Sequence, residues 1–511
     1  MEIPIENQMD SSSTLTPRTT GIIWTFLFAS ALIRCWLMPL RSGFWLDETG
    51  TYYIISGNWH QFLERMSVAI QSPLYCGMLW LVYHGVGSSE LILRTPSILA
   101  MALAAFLLYR LTARLVYPAA GLTATLIFIA MPDIGHLAYQ ARPYSLSIAV
   151  LLASILYFWR WLDKRRRLDG ALCIVFLAAA FYSHPTYGLM GFVYALVTAR
   201  EALSERTLAW KQIALGAASL AVLCFPILPY YRSAAGRAST YSFAETPGWA
   251  NVFDFFPGIG GGALVFGVAL LYLIFPSVEW RVLPVSRRAG LMVTTWLTLP
   301  PGILAVVAKF TPAKLFVLRY YTYILPAVAL VFAMFVCCVK RSHQRMTLVS
   351  VAALGLIIAT WSNTLWPSVD VDWRETAGIL RQQAYAPDAP IFVKSGFIEA
   401  KSLQWFNDEV RLGFLLAPIH MYPIPGAIVA LPYQPGAGFD GYMANAVRGL
   451  ASRDEFFVVD TNYSDSWQQW FRLRYASTFQ AETLPSRRGA PITRFRRALS
   501  PGTRQSILPE L

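Results

Sequence analysis

Apolar segments long enough to cross a lipid bilayer recur through the first two thirds of the sequence, and they limit the folds open to this chain. A helix needs about 20 apolar residues to span the hydrocarbon core. The chain is 56% hydrophobic and has a mean hydropathy of +0.45, well above a soluble domain. We therefore predict a polytopic α-helical membrane protein with about eleven transmembrane helices. The predicted spans are 21–40, 90–108, 119–131, 145–159, 171–182, 187–198, 214–231, 258–275, 289–307, 321–339 and 347–366.

The net charge of +13 does not indicate a nucleic-acid-binding protein. The basic residues lie in short clusters between apolar segments, without a basic face or a binding motif, so no nucleic acid is expected as a partner. Lys and Arg are enriched in alternate connections, most strongly at 160–167. The positive-inside rule then places the N-terminus, with a tail of residues 1–20, in the cytoplasm. The ionisable residues that this topology places on the outer face include Asp47, Asp133, Arg142, His184 and Arg319.

The composition changes from residue 368 onwards. Apolar runs shorten to the length of strands, and helical patterns lie between them. This alternation predicts a C-terminal α/β domain at 368–511 with a partly parallel sheet, on the extracytoplasmic side, after a transmembrane domain at 21–367. The strand-like runs are 391–393, 427–431 and 456–459, and the helical patterns are 374–383 and 442–452.

One stretch in this region, from Gly436 to Gly441, fits the pattern G-x-G-x-x-G. It follows a strand-like run, and Asp460 ends the next one, which is the spacing of a dinucleotide-binding fingerprint. The alternative is a plain loop, which the preceding Pro435 favours. A location outside the cytosol, where dinucleotides are scarce, also favours the loop.

The first outer loop begins with two adjacent carboxylates, Asp47 and Glu48. Ionisable groups where a membrane helix meets water are costly to desolvate and by default indicate function. The alternative is structural, because Asp is a preferred N-cap and a short helix through Tyr52 can begin here. A cap and a general base are compatible roles. Further along the loop, residues 72–83 predict an amphipathic juxtamembrane helix on the membrane surface.

The outer-face residues combine this carboxylate with several cations. Arg142 begins one span, and His184 lies in a turn after another. Lys314 and Arg319 precede a third. Guanidinium groups bind phosphate in a fork, and a carboxylate can remove a proton from an attacking hydroxyl. Together they predict that a sugar moves from a lipid phosphate to an acceptor, with inversion at the anomeric carbon.

Several motifs carry a resemblance to a known superfamily. They are the Asp-Glu pair after the first span, Ser72-Pro73-Leu74-Tyr75, Ala141-Arg142-Pro143-Tyr144, and Arg319-Tyr320 with Pro326. In the order of these elements, about 20–367 resembles the GT-C glycosyltransferases. The nearer relatives are bacterial relatives of protein O-mannosyltransferases and of the lipid A aminoarabinose transferase. The α/β tail is similar to the periplasmic domain of the aminoarabinose branch.

The resemblance implies a polyprenyl-phosphate sugar as the donor and Asp47 as the catalytic base. It implies that Glu48 contacts the acceptor or a metal, and that Arg142 and Arg319 bind the donor phosphate. Ser72 stands where a His or Pro is usual, which leaves the choice of acceptor open. The predicted substrate-binding residues are Glu48, Arg142, His184, Lys314, Arg319 and Tyr320.

A divalent metal is bound in parts of the superfamily, and here Glu48, Asp133 and His136 are the possible ligands. Each outer-face residue also has a structural alternative. Arg319 can snorkel to the interface beside its tyrosine neighbours. His184 and Asp133, each next to a proline, are also typical of turns and helix ends.

These features predict an inverting glycosyltransferase of the bacterial inner membrane, acting on the periplasmic or extracellular side. The predicted partners are a polyprenyl-phosphate-linked sugar, a lipid, glycan or protein acceptor, and membrane lipids. A transporter or flippase of a lipid-linked glycan is the first alternative, although such proteins favour inverted repeats and charged residues at mid-membrane. A non-catalytic assembly protein is the second, and it would tolerate the loss of Asp47.

Overall fold

The computed structural model describes residues 17–69, 71–205, 210–236, 279–282, 285–311, 317–360, 371–394, 396–461 and 466–498. Internal contacts divide the chain into two units. The helical unit contains Met1–Leu40, Ser72–Met78 and Leu91–Pro367. The mixed unit contains Arg41–Gln71, Leu79–Glu90 and Ser368–Leu511. The segment that carries Asp47 therefore groups with the C-terminal residues, whereas the predicted division placed it with the transmembrane domain.

Helices dominate the described residues before 361. They are α1 (Pro17–Ala31), α2 (Leu46–Ile55), α3 (Trp59–Val68), α4 (Pro73–Gly85), α5 (Glu90–Leu115), α6 (Pro118–Ala130), α7 (Pro132–Ala138), α8 (Tyr144–Lys164), α9 (Arg167–Ser183), α10 (Met190–Glu205), α11 (Trp210–Cys224), α12 (Leu228–Gly236), α13 (Arg287–Phe310), α14 (Leu325–Cys338) and α15 (Ser342–Ala359). Short 3-10 or π segments at Leu32–Leu37, Met38–Arg41, Pro185–Leu189, Phe225–Ile227 and Leu318–Ile324 extend or connect them.

The lengths and hydropathies of the helices confirm a polytopic membrane protein. In the described part, seven helical segments are long and apolar enough to cross a bilayer. The pair α6 and α7 would make an eighth, broken by a bend of 71°. Pro132 explains the break, because proline has no N–H to continue the helical ladder. The predicted span 258–275 lies outside the described residues, so the number eleven stays a prediction.

Ion pairs join several helix ends on one side of the helical unit. Asp163 at the end of α8 pairs with Arg114 of α5 at 2.7 Å and with Arg288 of α13 at 3.2 Å. Arg288 also pairs at 2.7 Å with Glu201 of α10, whose side chain is 1% exposed. A buried carboxylate is costly without such a partner. The connections predicted to share the cytoplasmic face thus meet at this end of α8.

The mixed unit contains a five-stranded sheet with the order β2-β1-β3-β5-β4. The strands β2, β1 and β3 are parallel, and β5 and β4 are antiparallel. The predicted α/β domain with a partly parallel sheet is therefore confirmed. The strands are β1 (Pro390–Lys394), β2 (Ala427–Leu431), β3 (Glu455–Val459), β4 (Phe479–Leu484) and β5 (Ile492–Arg497), and the helices are α16 (Trp373–Gln382), α17 (Glu409–Leu415), α18 (Ala417–Met421), α19 (Asp440–Ala446) and α20 (Ser466–Tyr475).

The G-x-G-x-x-G stretch after β2 contains a 3-10 segment, Ala437–Phe439, and its last residue, Gly441, lies in the first turn of α19. A Cβ atom added at Gly436, Gly438 or Gly441 would meet no atom within 4 Å. None of the three has a positive φ. Dinucleotide-binding glycines are required for a tight turn and close backbone approach, and neither constraint acts here.

Candidate active site

A cluster of cationic and aromatic side chains lies at the end of α8 opposite to the ion pairs. We call Arg142, His184, Arg319 and Tyr320 the cationic cluster. The ring centroid of His184 lies 5.4 Å from that of Tyr320 and 5.5 Å from that of Tyr144, the first residue of α8. His184 and Tyr320, which are far apart in the sequence, are thus brought together within the helical unit. Arg319 precedes Tyr320, and Arg142 lies near enough for its charge to act on His184.

The turn after His184 binds the segment Leu318–Ile324. The Thr186 hydroxyl donates to the carbonyl oxygen of Tyr320 at 3.0 Å. The Tyr187 hydroxyl lies 2.8 Å from that of Thr322, which donates to the carbonyl oxygen of Arg319. Tyr187 is fully buried, so these bonds are shielded from water. They hold the backbone of Arg319 and Tyr320 against the His184 turn.

These bonds also identify the proton position on the His184 ring. Nδ1 of His184 lies 2.9 Å from the Thr186 hydroxyl oxygen. That hydroxyl has a single hydrogen, which it donates to the Tyr320 carbonyl, so it must accept from His184. The proton of the neutral ring therefore sits on Nδ1. Nε2 carries the lone pair and can only accept a hydrogen bond.

The electrostatic surroundings keep His184 neutral. Burial, followed by the positive charges of Arg142 and Arg319, lowers the pKa of His184 to about 3. A third cation among two guanidinium groups would be repelled, and burial disfavours its charged form. At neutral pH the cluster therefore has two positive charges and one neutral imidazole. That combination favours an anion between the arginines.

The motif Ser72-Pro73-Leu74-Tyr75 supports Arg142. Ser72 is placed as the cap of α4, and its hydroxyl accepts from the backbone N–H of Tyr75 at 3.3 Å. The Tyr75 hydroxyl lies 2.7 Å from the hydroxyl of Ser97, which donates to the carbonyl oxygen of Arg142 at 3.3 Å. Arg142 itself is only 8% exposed. This motif thus positions a phosphate-binding candidate through its backbone.

In the mixed unit, Asp47 and Glu48 lie in the first turn of α2 and have different environments. Glu48 is fully buried, and its carboxylate accepts from the backbone N–H of Trp45 at 3.2 Å. Asp47 is half-buried. Trp45 is the N-cap, so Asp47 is the second helical residue and not the cap. The carboxylate that satisfies the helix start is therefore Glu48, and Asp47 is the less buried of the two.

The predicted metal ligands do not form a metal site. Nδ1 of His136 lies 2.8 Å from the Tyr139 hydroxyl, and Nε2 lies 2.6 Å from the side-chain nitrogen of Gln140. Glu48 is engaged at its own helix start. Nowhere in the described ranges do three His, Cys, Asp or Glu side chains group closely enough to hold an ion. We derive no step through a metal. Lys314, a further predicted substrate-binding residue, lies outside the described residues.

Sequence reasoning missed the residues that hold the cluster in place. These residues are uncharged and lie in or beside apolar segments, where a packing role is the ordinary interpretation. They are Tyr75, Ser97, Thr186 and Tyr187. One signal was available for Tyr75, because it belongs to the Ser-Pro-Leu-Tyr motif. The position of Thr186 beside a His-Pro turn is the other clue, since turn hydroxyls commonly bond to backbone groups.

Comparison with known proteins identifies the fold. The family described as "Dolichyl-phosphate-mannose-protein mannosyltransferase" matches residues 71–230. ArnT from Cupriavidus metallidurans bound to undecaprenyl phosphate has a TM-score of 0.53 at 13% identity, covering 93% of this chain and 98% of that chain. The apo state of that ArnT has the same TM-score and coverage at 15% identity.

A second solved protein shares the fold more distantly. The Archaeoglobus fulgidus oligosaccharyltransferase tethered with an acceptor peptide has a TM-score of 0.50 at 12% identity, covering 95% of this chain and 74% of that chain. No curated protein sequence matches significantly. The chain is an integral membrane protein with the fold of the GT-C glycosyltransferases. The match to the mannosyltransferase family covers residues 71–230, and the similarity to the solved structures shows the fold.

Proposed function

We propose that the protein is an inverting glycosyltransferase that moves a sugar from a polyprenyl-phosphate donor to an acceptor hydroxyl. The observation that carries the proposal is the cationic cluster, in which the positive charges of Arg142 and Arg319 act on a buried, neutral His184. Two guanidinium groups at the ends of membrane helices suit a phosphate on a lipid carrier. The ArnT structure with undecaprenyl phosphate supports a lipid phosphate as the ligand of this fold.

The reaction divides between Asp47 and the arginines. Asp47 removes the proton from the acceptor hydroxyl as its oxygen bonds to the anomeric carbon. The bond from this carbon to the phosphate oxygen breaks, and the electron pair leaves with the polyprenyl phosphate. Arg142 and Arg319 stabilise the charge that develops on the leaving phosphate. Attack from the face opposite to the leaving group inverts the anomeric configuration.

His184 has a different role from the two arginines. Its Nε2 carries a lone pair, so it accepts a hydrogen bond from a sugar hydroxyl and does not donate to the phosphate. Because His184 is neutral, the positive charge of the cluster is that of the two guanidinium groups. Tyr320, whose ring packs against His184, completes this side of the donor site.

We place the reaction on the non-cytoplasmic side of a bacterial inner membrane. The support is the charge asymmetry between connections, together with the separation of the cationic cluster from the ion pairs around Asp163. The acceptor in this proposal is a hydroxyl group of a lipid, a glycan or a protein.

The test is Asp47→Asn in cells from which the native gene has been deleted. Wild-type protein should restore a mass increment in the cell-envelope glycans. The Asn variant should restore none while it remains folded and inserted, because an amide cannot take the proton. Glu482→Gln is the matched control, since Glu482 is an exposed carboxylate on β4. Full transfer by the Asn variant would remove Asp47 as the base.

A further inference from the structure

The segment that leads into α2 is bound by the C-terminal part of the mixed unit. We call residues 41–44 the lead-in segment. The guanidinium group of Arg374 donates at 3.3 Å to the carbonyl oxygen of Arg41 and at 3.3 Å to that of Ser42. At Gly43 an added Cβ would lie 2.6 Å from a carboxylate oxygen of Asp372, so a side chain at this position would force Asp372 to shift.

The last residue of the lead-in segment is held by Tyr422. The backbone N–H of Phe44, a fully buried residue, donates to the Tyr422 hydroxyl oxygen at 2.7 Å. The same hydroxyl donates to the carboxylate of Glu90. Glu90 in turn forms an ion pair with Arg374. Three side chains and three backbone groups thus form a continuous set of bonds around the start of α2.

The body of α2 has contacts to the same region. The Tyr53 hydroxyl donates to the carbonyl oxygen of Val410 at 2.9 Å. An added Cβ at Gly50 would lie 3.1 Å from ring atoms of both Phe397 and Phe414. A helix of 10 residues is marginal in isolation, so these tertiary contacts are what hold α2 in its position.

Asp47 lies three residues after the bond made by Tyr422. Between them, Trp45 is the N-cap, and its N–H is bound by Glu48 in the first turn. The chain from Phe44 to Glu48 is therefore bonded at each end, and a displacement at Phe44 is passed on to the first turn. A buried N–H without a hydrogen-bond acceptor is costly. If the Phe44 N–H lost the Tyr422 hydroxyl, this part of the chain would therefore shift until the N–H reached another acceptor.

We propose that Tyr422 is a positioning residue for the base Asp47, and that the C-terminal α/β region is an obligatory part of the catalytic protein. This rests on the proposed function. Tyr422 does not touch the reacting atoms. It acts through Phe44 and the first turn of α2, and so sets where the Asp47 carboxylate stands.

Tyr422→Phe tests the proposal in the full-length protein, because it keeps the ring and removes the hydroxyl. Hydrogen exchange at residues 44–55 should become faster. Transfer to the envelope glycans should fall roughly tenfold, since a small misplacement of a catalytic group has a large effect on rate. Affinity for undecaprenyl phosphate, used as the probe, should stay within roughly twofold, because the cationic cluster is unchanged.

Tyr442→Phe is the matched control. The Tyr442 hydroxyl donates to the carbonyl oxygen of Ala430 at 2.7 Å, in the same unit and without a bond to the lead-in segment. This variant should transfer like wild type. Wild-type transfer by Tyr422→Phe, or exchange at 44–55 equal to that of Tyr442→Phe, would overturn the positioning role while leaving the Asp47 assignment intact. Active Asp47→Asn would instead remove the proposed function itself.

Arg374→Gln tests the same attachment from its other side and serves if Tyr422→Phe does not insert. It removes the charge that pairs with Glu90 and the two bonds to the lead-in segment. The expected pattern is the same, with faster exchange at 44–55, slower transfer and unchanged affinity for undecaprenyl phosphate. Wild-type exchange and transfer in this variant would contradict the proposal.

Discussion

The two groups of candidate site residues are held in place by different means. The cationic cluster is supported by short bonds among neighbouring helix ends, such as Thr186 to the Tyr320 carbonyl. Asp47 is on a short helix whose start is bound by residues more than 300 positions later, such as Tyr422. One group is built into the membrane helices, and the other depends on the C-terminal α/β fold.

In the proposed reaction this difference separates donor binding from acceptor activation. Changes in the cationic cluster should affect the lipid phosphate, whereas changes around α2 should affect proton removal. A variant in either region that altered both steps equally would contradict the separation. The predictions below test it in order of decreasing effect.

Arg319→Ala should have the largest effect in the cationic cluster. The guanidinium group can bind an anion through two parallel hydrogen bonds. Its loss should weaken the binding of undecaprenyl phosphate to the detergent-solubilised protein roughly 100-fold. Arg319→Lys keeps the charge without the fork and should lose less. Unchanged affinity in the alanine variant would mean that Arg319 only anchors its helix at the interface.

Thr186→Val should have a smaller effect on the same step. The substitution keeps the shape but removes the acceptor for the His184 Nδ1 proton and the donor to Tyr320. Because an unsatisfied buried polar group is costly, we expect transfer to fall roughly tenfold. Thr198→Val is the control, since the Thr198 hydroxyl bonds only within its own helix in the described contacts. Equal losses in both variants would argue against a role for the His184 proton position.

The smallest effect should be a pH dependence of stability. The pKa of His184 is lowered to about 3 in the folded protein, whereas an unfolded His titrates near 6.5. Below about pH 6.5 the unfolded state therefore binds a proton that the folded state does not, so stability falls as pH falls. Burial also lowers the pKa of His420, which adds a loss in the same direction.

The measurement is the melting temperature in detergent between pH 7 and pH 5. The melting temperature of His184→Asn should decrease less than that of wild type. The variant lacks one of the two histidines, His184 and His420, whose pKa the fold lowers. The same decrease in both proteins would show that His184 does not stay neutral in the fold.

The membrane helices and the first three strands could be predicted because their burial leaves a pattern in the sequence. Apolar runs mark both, since a bilayer and the middle of a sheet remove all faces from water. The strands β4 and β5 were missed for the opposite reason. Charged residues such as Arg494 and Glu482 interrupt them, and four of the six residues of β4 are exposed.

The grouping of Arg142, His184 and Arg319 followed from topology, because ionisable residues at the same ends of helices are brought to one face. The bonds that hold them did not follow. No periodicity links Tyr75 to Ser97, or Phe44 to Tyr422, because each pair joins segments through a single contact. Such contacts depend on the tertiary structure, and no pattern in a single sequence predicts them.

The ion pairs around Asp163 have a consequence for how the lipid-linked donor of the proposed reaction enters. They tie α5, α8, α10 and α13 together at one end, and separating them would expose the charge of Glu201. Separation of these helices is therefore costly at this end. We expect an isoprenoid chain to enter laterally between these helices nearer to their opposite ends, with the ion pairs at Asp163 acting as the hinge.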